Sequence, residues 1–188
     1  RRSASDRIDG VMAETIHQTV RDAYEAIAYV GRPFHETHPN RLLAVAQLHG
    51  VAPPKRETIS VLEIGCGDGA NLVPMAASYP RGRFVGIDLS ERLIASARAL
   101  VEGAGIPNVT LLQGDLGTLP SRVGAFDVIV AHGFYSWVPP DVRDTMFRTI
   151  ASRLSPGGVA YVNYNLLPVG WISRIGRDAM QFHVRATA

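Results

Sequence analysis

From residue 60 onward, short apolar runs alternate with amphipathic stretches, and most runs end at a glycine or an aspartate. The runs are residues 61–64, 84–87, 109–112, 126–131 and 159–164. Each is too short for a helix and is bounded by turn formers, so each predicts a buried strand. Between them, apolar positions recur at helical spacing: Leu72, Met75, Ala76 and Tyr79, then Leu93, Ile94, Ala97, Leu100 and Val101. A further helix is predicted over residues 141–154, with Val142, Met146, Ile150 and Leu154 in register. Ser90 suits an N-cap, Gly103 and Gly105 suit a helix stop, and Pro156-Gly157-Gly158 suits a turn into the fifth strand. Five strands alternating with helices predict an α/β fold: a doubly wound, mostly parallel sheet covered on both faces.

Ahead of this region, Ile8, Val11, Met12, Ile16 and Val20 keep roughly helical spacing. Glycine and proline break the pattern over residues 31–39, residues 41–48 predict a short helix, and residues 51–54 read as a linker. The chain therefore divides into an N-terminal helical cover, residues 1–50, and the alternating domain, residues 51–188. A last helix is expected near Trp171.

Composition narrows the function classes. In 188 residues, 46% are apolar, enough for one real core. The net charge is only +2 and the basic residues are scattered, which points away from a nucleic-acid groove and from a membrane-binding face. Cys66 is the one cysteine, so an internal disulfide and a cysteine-based zinc site are excluded and a reducing, cytoplasmic setting is expected. His35 and His38 lie three apart in a proline-broken segment with no third ligand at suitable spacing, so no metal is expected. No apolar run reaches membrane-spanning length, and no secretory leader is expected.

In a doubly wound sheet, ligands bind outside the carboxyl ends of the strands. The residues there carry the candidate chemistry. Glu63-Ile64-Gly65-Cys66-Gly67-Asp68-Gly69 joins the first strand to a helix. Glycines allow a sharp turn and close approach, and the helix start offers N–H groups to a phosphate or a carboxylate. Alone, this pattern also fits a purely structural turn. Asp88, at the tip of the second strand, can accept hydrogen bonds from both hydroxyls of a ribose, which suits a nicotinamide dinucleotide as well as S-adenosylmethionine. Asp115, in Gly114-Asp115-Leu116, can accept from an exocyclic adenine amine or simply be a solvated turn residue. After the fourth strand come His132, Tyr135 and Trp137. His132 is the base candidate because its ordinary pKa lies near neutrality, with packing as the alternative. Tyr135 and Trp137 could line an acceptor slot or pack the loop onto the N-terminal helices.

The segments VLEIGCGDGANL (residues 61–72), FVGIDLS (84–90), GDL (114–116), FDVIVAHG (126–133) and LSPGG (154–158), in this order and spacing, resemble class I S-adenosylmethionine-dependent methyltransferases. The resemblance implies the Rossmann-like fold of that family with S-adenosylmethionine as its cofactor. It places Glu63 and the turn of Gly65, Cys66 and Gly67 against the methionine part. It places Asp88 with Leu89 at the ribose, Asp115 with Leu116 at the adenine, and Ala131 and His132 beside it. His132 and Tyr135 become the candidate catalytic residues. The sixth and seventh strands of a full class I sheet are not found, so a sheet incomplete at its C-terminal end is expected.

PFHETHPNRL (33–42), AHGFYSWVPPDVRD (131–144) and YNLLPVGW (164–171) narrow the resemblance to methyltransferases that carry a regulatory domain, among them rickettsial protein-lysine methyltransferases. This implies a protein lysine amine as acceptor, a segment over residues 33–39 that folds across the cofactor with Tyr24 and Tyr29 as further cover, and more domains beyond residue 188. A small-molecule O- or N-methyltransferase and a module that binds S-adenosylmethionine without transferring a methyl group stay open as alternatives. A nicotinamide-dependent oxidoreductase is disfavoured by the acidic residue inside the first strand and the lack of a Ser/Tyr/Lys catalytic set.

Overall fold

The computed structural model describes residues 31–52 and 54–166, together with Ile175, Asp178, Ala179, Phe182 and His183, which are helical and exposed. The helix expected before residue 31, with Tyr24 and Tyr29, and Trp171 at the start of the last helix lie outside the described residues. Five parallel strands form one sheet: β1 (Ser60–Ile64), β2 (Arg83–Asp88), β3 (Val109–Gln113), β4 (Phe126–Ala131) and β5 (Leu154–Val162). Their spatial order is β3-β2-β1-β4-β5, so the direction of winding reverses between β1 and β4. The helices are α1 (Pro39–Leu48), α2 (Leu72–Ser78), α3 (Glu91–Ala104) and α4 (Pro140–Arg153). This is the Rossmann-like, doubly wound arrangement expected, and the sheet is open, with no strand beyond β5 among the described residues.

Alternation along β1 and β4 splits the core in two. Val61, Val128 and Val130 face Leu43 of α1 and Leu72, Met75 and Ala76 of α2. Leu62, Ile64, Ile129 and Ala131 face Met146 of α4 and Leu116. At the amino ends of β1 and β4, the Ser60 amide and hydroxyl both donate to the Asp127 carboxylate at 2.8 Å, and the Asp127 amide donates to Ser60 Oγ at 3.1 Å. This lock fixes the register of the two strands whose carboxyl ends bracket the switch point.

Three local expectations are corrected. Leu154 opens β5 opposite Phe126 and is not the last residue of α4. Its apolar side chain fits helix and strand patterns alike, and the Ser155-Pro156 that follows cannot extend a helix. Pro156-Gly157-Gly158 is an irregularity inside β5: Phe126 pairs with Leu154 and Val128 with Val159, with Gly157 at φ 75°. Gly103 sits within α3, and Gly105 alone takes the left-handed C-cap at φ 63°.

Gly86 shows how tightly the glycine turn is seated. A β-carbon there would stand 2.7 Å from Cys66 Sγ and 2.9 Å from Leu72 Cδ2. Gly86→Ala should therefore cost about 1–3 kcal/mol of stability, read as a lowered Tm in thermal denaturation.

Candidate functional site

The site is built at the carboxyl ends of β1 to β4. Past β1, the Gly65 and Cys66 amides both donate to the Ile87 carbonyl, at 2.9 and 3.2 Å, which folds the chain back over the end of β2. Gly65 and Gly67 take the left-handed region, at φ 71° and 55°. At Gly65 a β-carbon would meet the Phe134 ring at 2.8 Å, whereas at Gly67 nothing lies within 4 Å of its place. Gly65 is thus packed under the loop after β4, and Gly67 borders open space. Cys66 Sγ fills the room beneath the turn, and burial pushes its thiol pKa well up, so it stays neutral.

Asp88 holds this turn in place. Its Oδ2 accepts from the Gly67 amide and its Oδ1 from the Ser90 amide, both at 2.9 Å. Ser90 Oγ in turn accepts from the Leu93 amide at 3.2 Å. Ser90 is thus the N-cap of the helix, as its position predicts, and Asp88 organises the turn just ahead of it. Leu89 is half-buried beside it, and its carbonyl accepts from Gln113 Nε2 at 3.1 Å. At the end of β3, Asp115 is exposed and caps the short 3-10 turn Leu116–Thr118 by accepting from the Gly117 amide at 2.7 Å. Leu116 is buried in the core beneath it.

Glu63, the penultimate residue of β1, is 4% exposed. Its Oε1 accepts from Asn71 Nδ2 at 2.7 Å, and its Oε2 is buried with no partner among the described residues. Burial pushes its pKa up to about 8; the Asn71 bond works against this, and the charges of Asp88 and Asp68 add to it. Asn71 Oδ1 accepts from the Phe34 amide at 2.8 Å and lies 3.1 Å from the Thr37 hydroxyl. A second stitch joins the Gly31 amide to Asp68 Oδ2 at 2.9 Å. The segment over residues 31–38 thus lies against the glycine turn. Asn71, Asp68 and Thr37 were not among the sequence candidates. The available signal was an asparagine among the buried apolar positions of the first helical turn.

The same segment reaches the loop after β4. Phe34 stacks on His132 with centroids 3.8 Å apart, and Tyr161 lies parallel on the histidine at 5.9 Å. His132 Nδ1 is buried without a partner among the described residues, and burial holds the imidazole pKa below its ordinary value, with Glu36 opposing and Arg32 adding to that effect. Tyr135 goes elsewhere. It meets Phe147 and Tyr164 edge-on at 5.9 Å, and the Arg143 guanidinium stands 4.9 Å from its ring centroid. His132 packs with the α1 and α2 side of the sheet and Tyr135 with the α4 side, so the two candidates do not stand together. Trp137 is 58% exposed. Ala131, fully buried, ends β4. His38 Nδ1 accepts from the Asn40 amide at 3.3 Å at the start of α1, while His35 is exposed beside Glu36.

Residues 61–158 match the methyltransferase domain family. The chain belongs to that family. The methyltransferase domain is 37% identical over 169 residues to the uncharacterized protein RP028 of Rickettsia prowazekii, covering 89% of this chain and 67% of that one. It superposes on PKMT2 from Rickettsia typhi in complex with AdoHcy with a TM-score of 0.80 at 38% identity, over 85% of this chain and 31% of that one. It is also 30% identical over 109 residues, 58% of this chain and 39% of the relative, to a trans-aconitate 2-methyltransferase of Deinococcus radiodurans. The chain thus spans about a third of PKMT2 and two thirds of RP028.

The Glu63 carboxyl gives the methyltransferase domain a testable pH signature. The native state keeps the proton up to about pH 8, while the unfolded chain loses it near 4.5. The native state therefore binds more protons between these values, and this group's contribution to stability declines as pH rises from about 4.5 to 8. Glu63→Gln should remove that slope, up to about 1.4 kcal/mol per pH unit, seen as a difference in the pH dependence of Tm between variant and wild type.

Proposed function

We propose that this methyltransferase domain binds S-adenosylmethionine along the carboxyl ends of β1 to β4 and transfers its methyl group to an amine, a protein lysine in the full-length enzyme. Family membership carries the reaction class. The observation that carries the cofactor is the buried, unpartnered Oε2 of Glu63 beside the Gly65–Gly67 turn. A buried carboxyl oxygen without a partner leaves a place for a ligand, and the cationic methionine end of the cofactor can fill it by displacing the proton that burial retains. The open space at Gly67 admits a group too large to pass a side chain. Asp88 offers the ribose its remaining acceptor capacity with Leu89 alongside, and Asp115 and Leu116 frame the adenine. AdoHcy bound to the PKMT2 of Rickettsia typhi supports this reading.

S-adenosylmethionine supplies an activated methyl group on a sulfonium, so the chain's task is mainly to position and to desolvate. His132 is held neutral by burial, and a neutral imidazole can take the proton that a lysine ammonium must lose. Tyr135, with Arg143 over its ring, would line the acceptor side of the loop. Residues 1–50 act as the cover and 51–188 as the cofactor domain, which the contacts of residues 31–38 with the glycine turn support. A cytoplasmic location goes with this reading; no helix among the described residues is long and apolar enough to cross a membrane. Further domains in the full-length protein would present the acceptor, as the longer relatives suggest. The similarity to trans-aconitate 2-methyltransferase keeps a small-molecule acceptor as the second reading.

Asp88→Ala should weaken AdoHcy binding by roughly 2–4 kcal/mol in calorimetry, since charge-assisted bonds to the ribose are lost. Gly67→Val should abolish binding, because a β-branched residue resists the left-handed backbone and its side chain fills the open space. Wild-type affinity in either folded variant removes the corresponding assignment. For the acceptor, the full-length enzyme incubated with S-adenosylmethionine and candidate proteins should yield methylated lysine by mass spectrometry. His132→Ala and Tyr135→Phe should slow that transfer at least about tenfold, a barrier of about 1.4 kcal/mol, with AdoHcy affinity nearly unchanged. Methylation of small metabolites alone rules out the lysine.

A further inference from the structure

One buried residue touches both the cofactor side and the covering segment. Asn71 uses both ends of its amide. Nδ2 donates to Glu63 Oε1 at 2.7 Å, and Oδ1 accepts from the Phe34 amide at 2.8 Å. The Thr37 hydroxyl, 0% exposed, shares its single proton between Asn71 Oδ1 at 3.1 Å and the Phe34 carbonyl at 2.8 Å. No other side chain among the described residues is hydrogen-bonded both to Glu63 and to the segment. The other oxygen of Glu63 is the unpartnered one.

We propose that Asn71 is a positioning residue that makes two events one: the filling of Glu63 Oε2 by a cationic donor, and the seating of residues 31–38 over the site. The inference rests on the reading that the cationic end of the cofactor meets Glu63. An asparagine oriented by Glu63 on one side presents its carbonyl oxygen to Phe34 and Thr37 on the other. Tightening either side therefore orders both. Phe34 carries the effect onward, since its ring lies on His132.

The arrangement also defines a proton balance. The groups acting on Glu63 are the Asn71 donor, which favours the carboxylate, and the charges of Asp88 and Asp68, which oppose it; the Cys66 thiol beside it is neutral. A bound ammonium favours the carboxylate and so expels the proton that the free site holds near neutral pH.

The test uses AdoHcy, whose amino acid end keeps the ammonium, in calorimetry between about pH 6 and 9, with hydrogen exchange of the Phe34 and Thr37 amides. In the wild type, affinity should rise with pH and level off near 8, and AdoHcy should slow exchange in the segment. Asn71→Asp keeps the acceptor for Phe34 and Thr37 but replaces the donor to Glu63 by a charge. It should move the affinity midpoint up by about one pH unit, weaken binding at pH 7 about tenfold, and end the ligand-induced slowing. Thr37→Val should reduce that slowing while leaving the midpoint where it is. Asn71→Asp with a wild-type midpoint and wild-type slowing overturns the proposal, as does Thr37→Val with full slowing. Glu63→Gln with unchanged AdoHcy affinity at every pH overturns instead the reading beneath it.

Discussion

A carboxyl group buried at the end of the central strand sets the terms for its surroundings. Glu63 lies in β1, with β2 on one side and β4 on the other, where water cannot solvate it. Such a group is tolerated only if neutral or hydrogen-bonded. The structure uses both: one oxygen takes the Asn71 amide, and burial retains the proton. The neighbouring features follow from satisfying this group. Asn71 must stand in the first turn after the glycines, the glycines must turn the chain sharply enough to bring it there, and Asp88 must pin the turn through the Gly67 amide. Replacing Glu63 by an apolar residue would relieve the burial but would leave the Asn71 amide without its acceptor.

The sheet was legible because the three inner strands β1, β2 and β4 hold near-continuous buried apolar runs, as burial on both faces requires, and because glycines or aspartates stand at the carboxyl ends of β1, β2 and β3. Glu63, Gly65, Gly67, Asp88 and Asp115 all stand at carboxyl strand ends, as their spacing implied. Legibility failed where meaning depends on distant partners. Asn71 reads as an ordinary helix-start residue until Phe34 and Thr37, 37 and 34 positions earlier, are brought to it. Asp88 reads as a free ligand acceptor until the Gly67 amide, 21 positions earlier, is placed on its carboxylate. Leu154 fits a helix by periodicity, and only its pairing with Phe126 makes it a strand residue.

The covering segment is held mainly by polar contacts and one ring stack rather than by a deep apolar interface. Gly31 and Phe34 use their backbone amides, and the acceptors are side chains of the glycine turn and the helix that follows it. Thr37 and Pro39 alone of residues 31–39 are buried. An element fastened this way can be ordered or loosened by changes in a few hydrogen bonds, and those bonds all converge on the loop that begins at Glu63.

The loop after β4 divides its side chains by a different device. Asn163, just past β5, donates its amide to the Ala131 carbonyl at 3.3 Å and accepts from the Gly133 amide on Oδ1 at 2.6 Å. It thereby holds the chain on both sides of His132 where it leaves the sheet. Gly133, at φ 66°, then turns the backbone so that His132 falls under Phe34 while Phe134 lies across Gly65 and Tyr135 passes to the α4 side. Phe134 and Tyr135 both pack against the core on the α4 side, so the turn at Gly133 parts them from His132. His132 is thus committed to the covered side, and the aromatic group of Tyr135, Phe147 and Tyr164 to the other. A neutral histidine therefore lies beneath the covering segment, and a partly exposed aromatic cluster lies outside it.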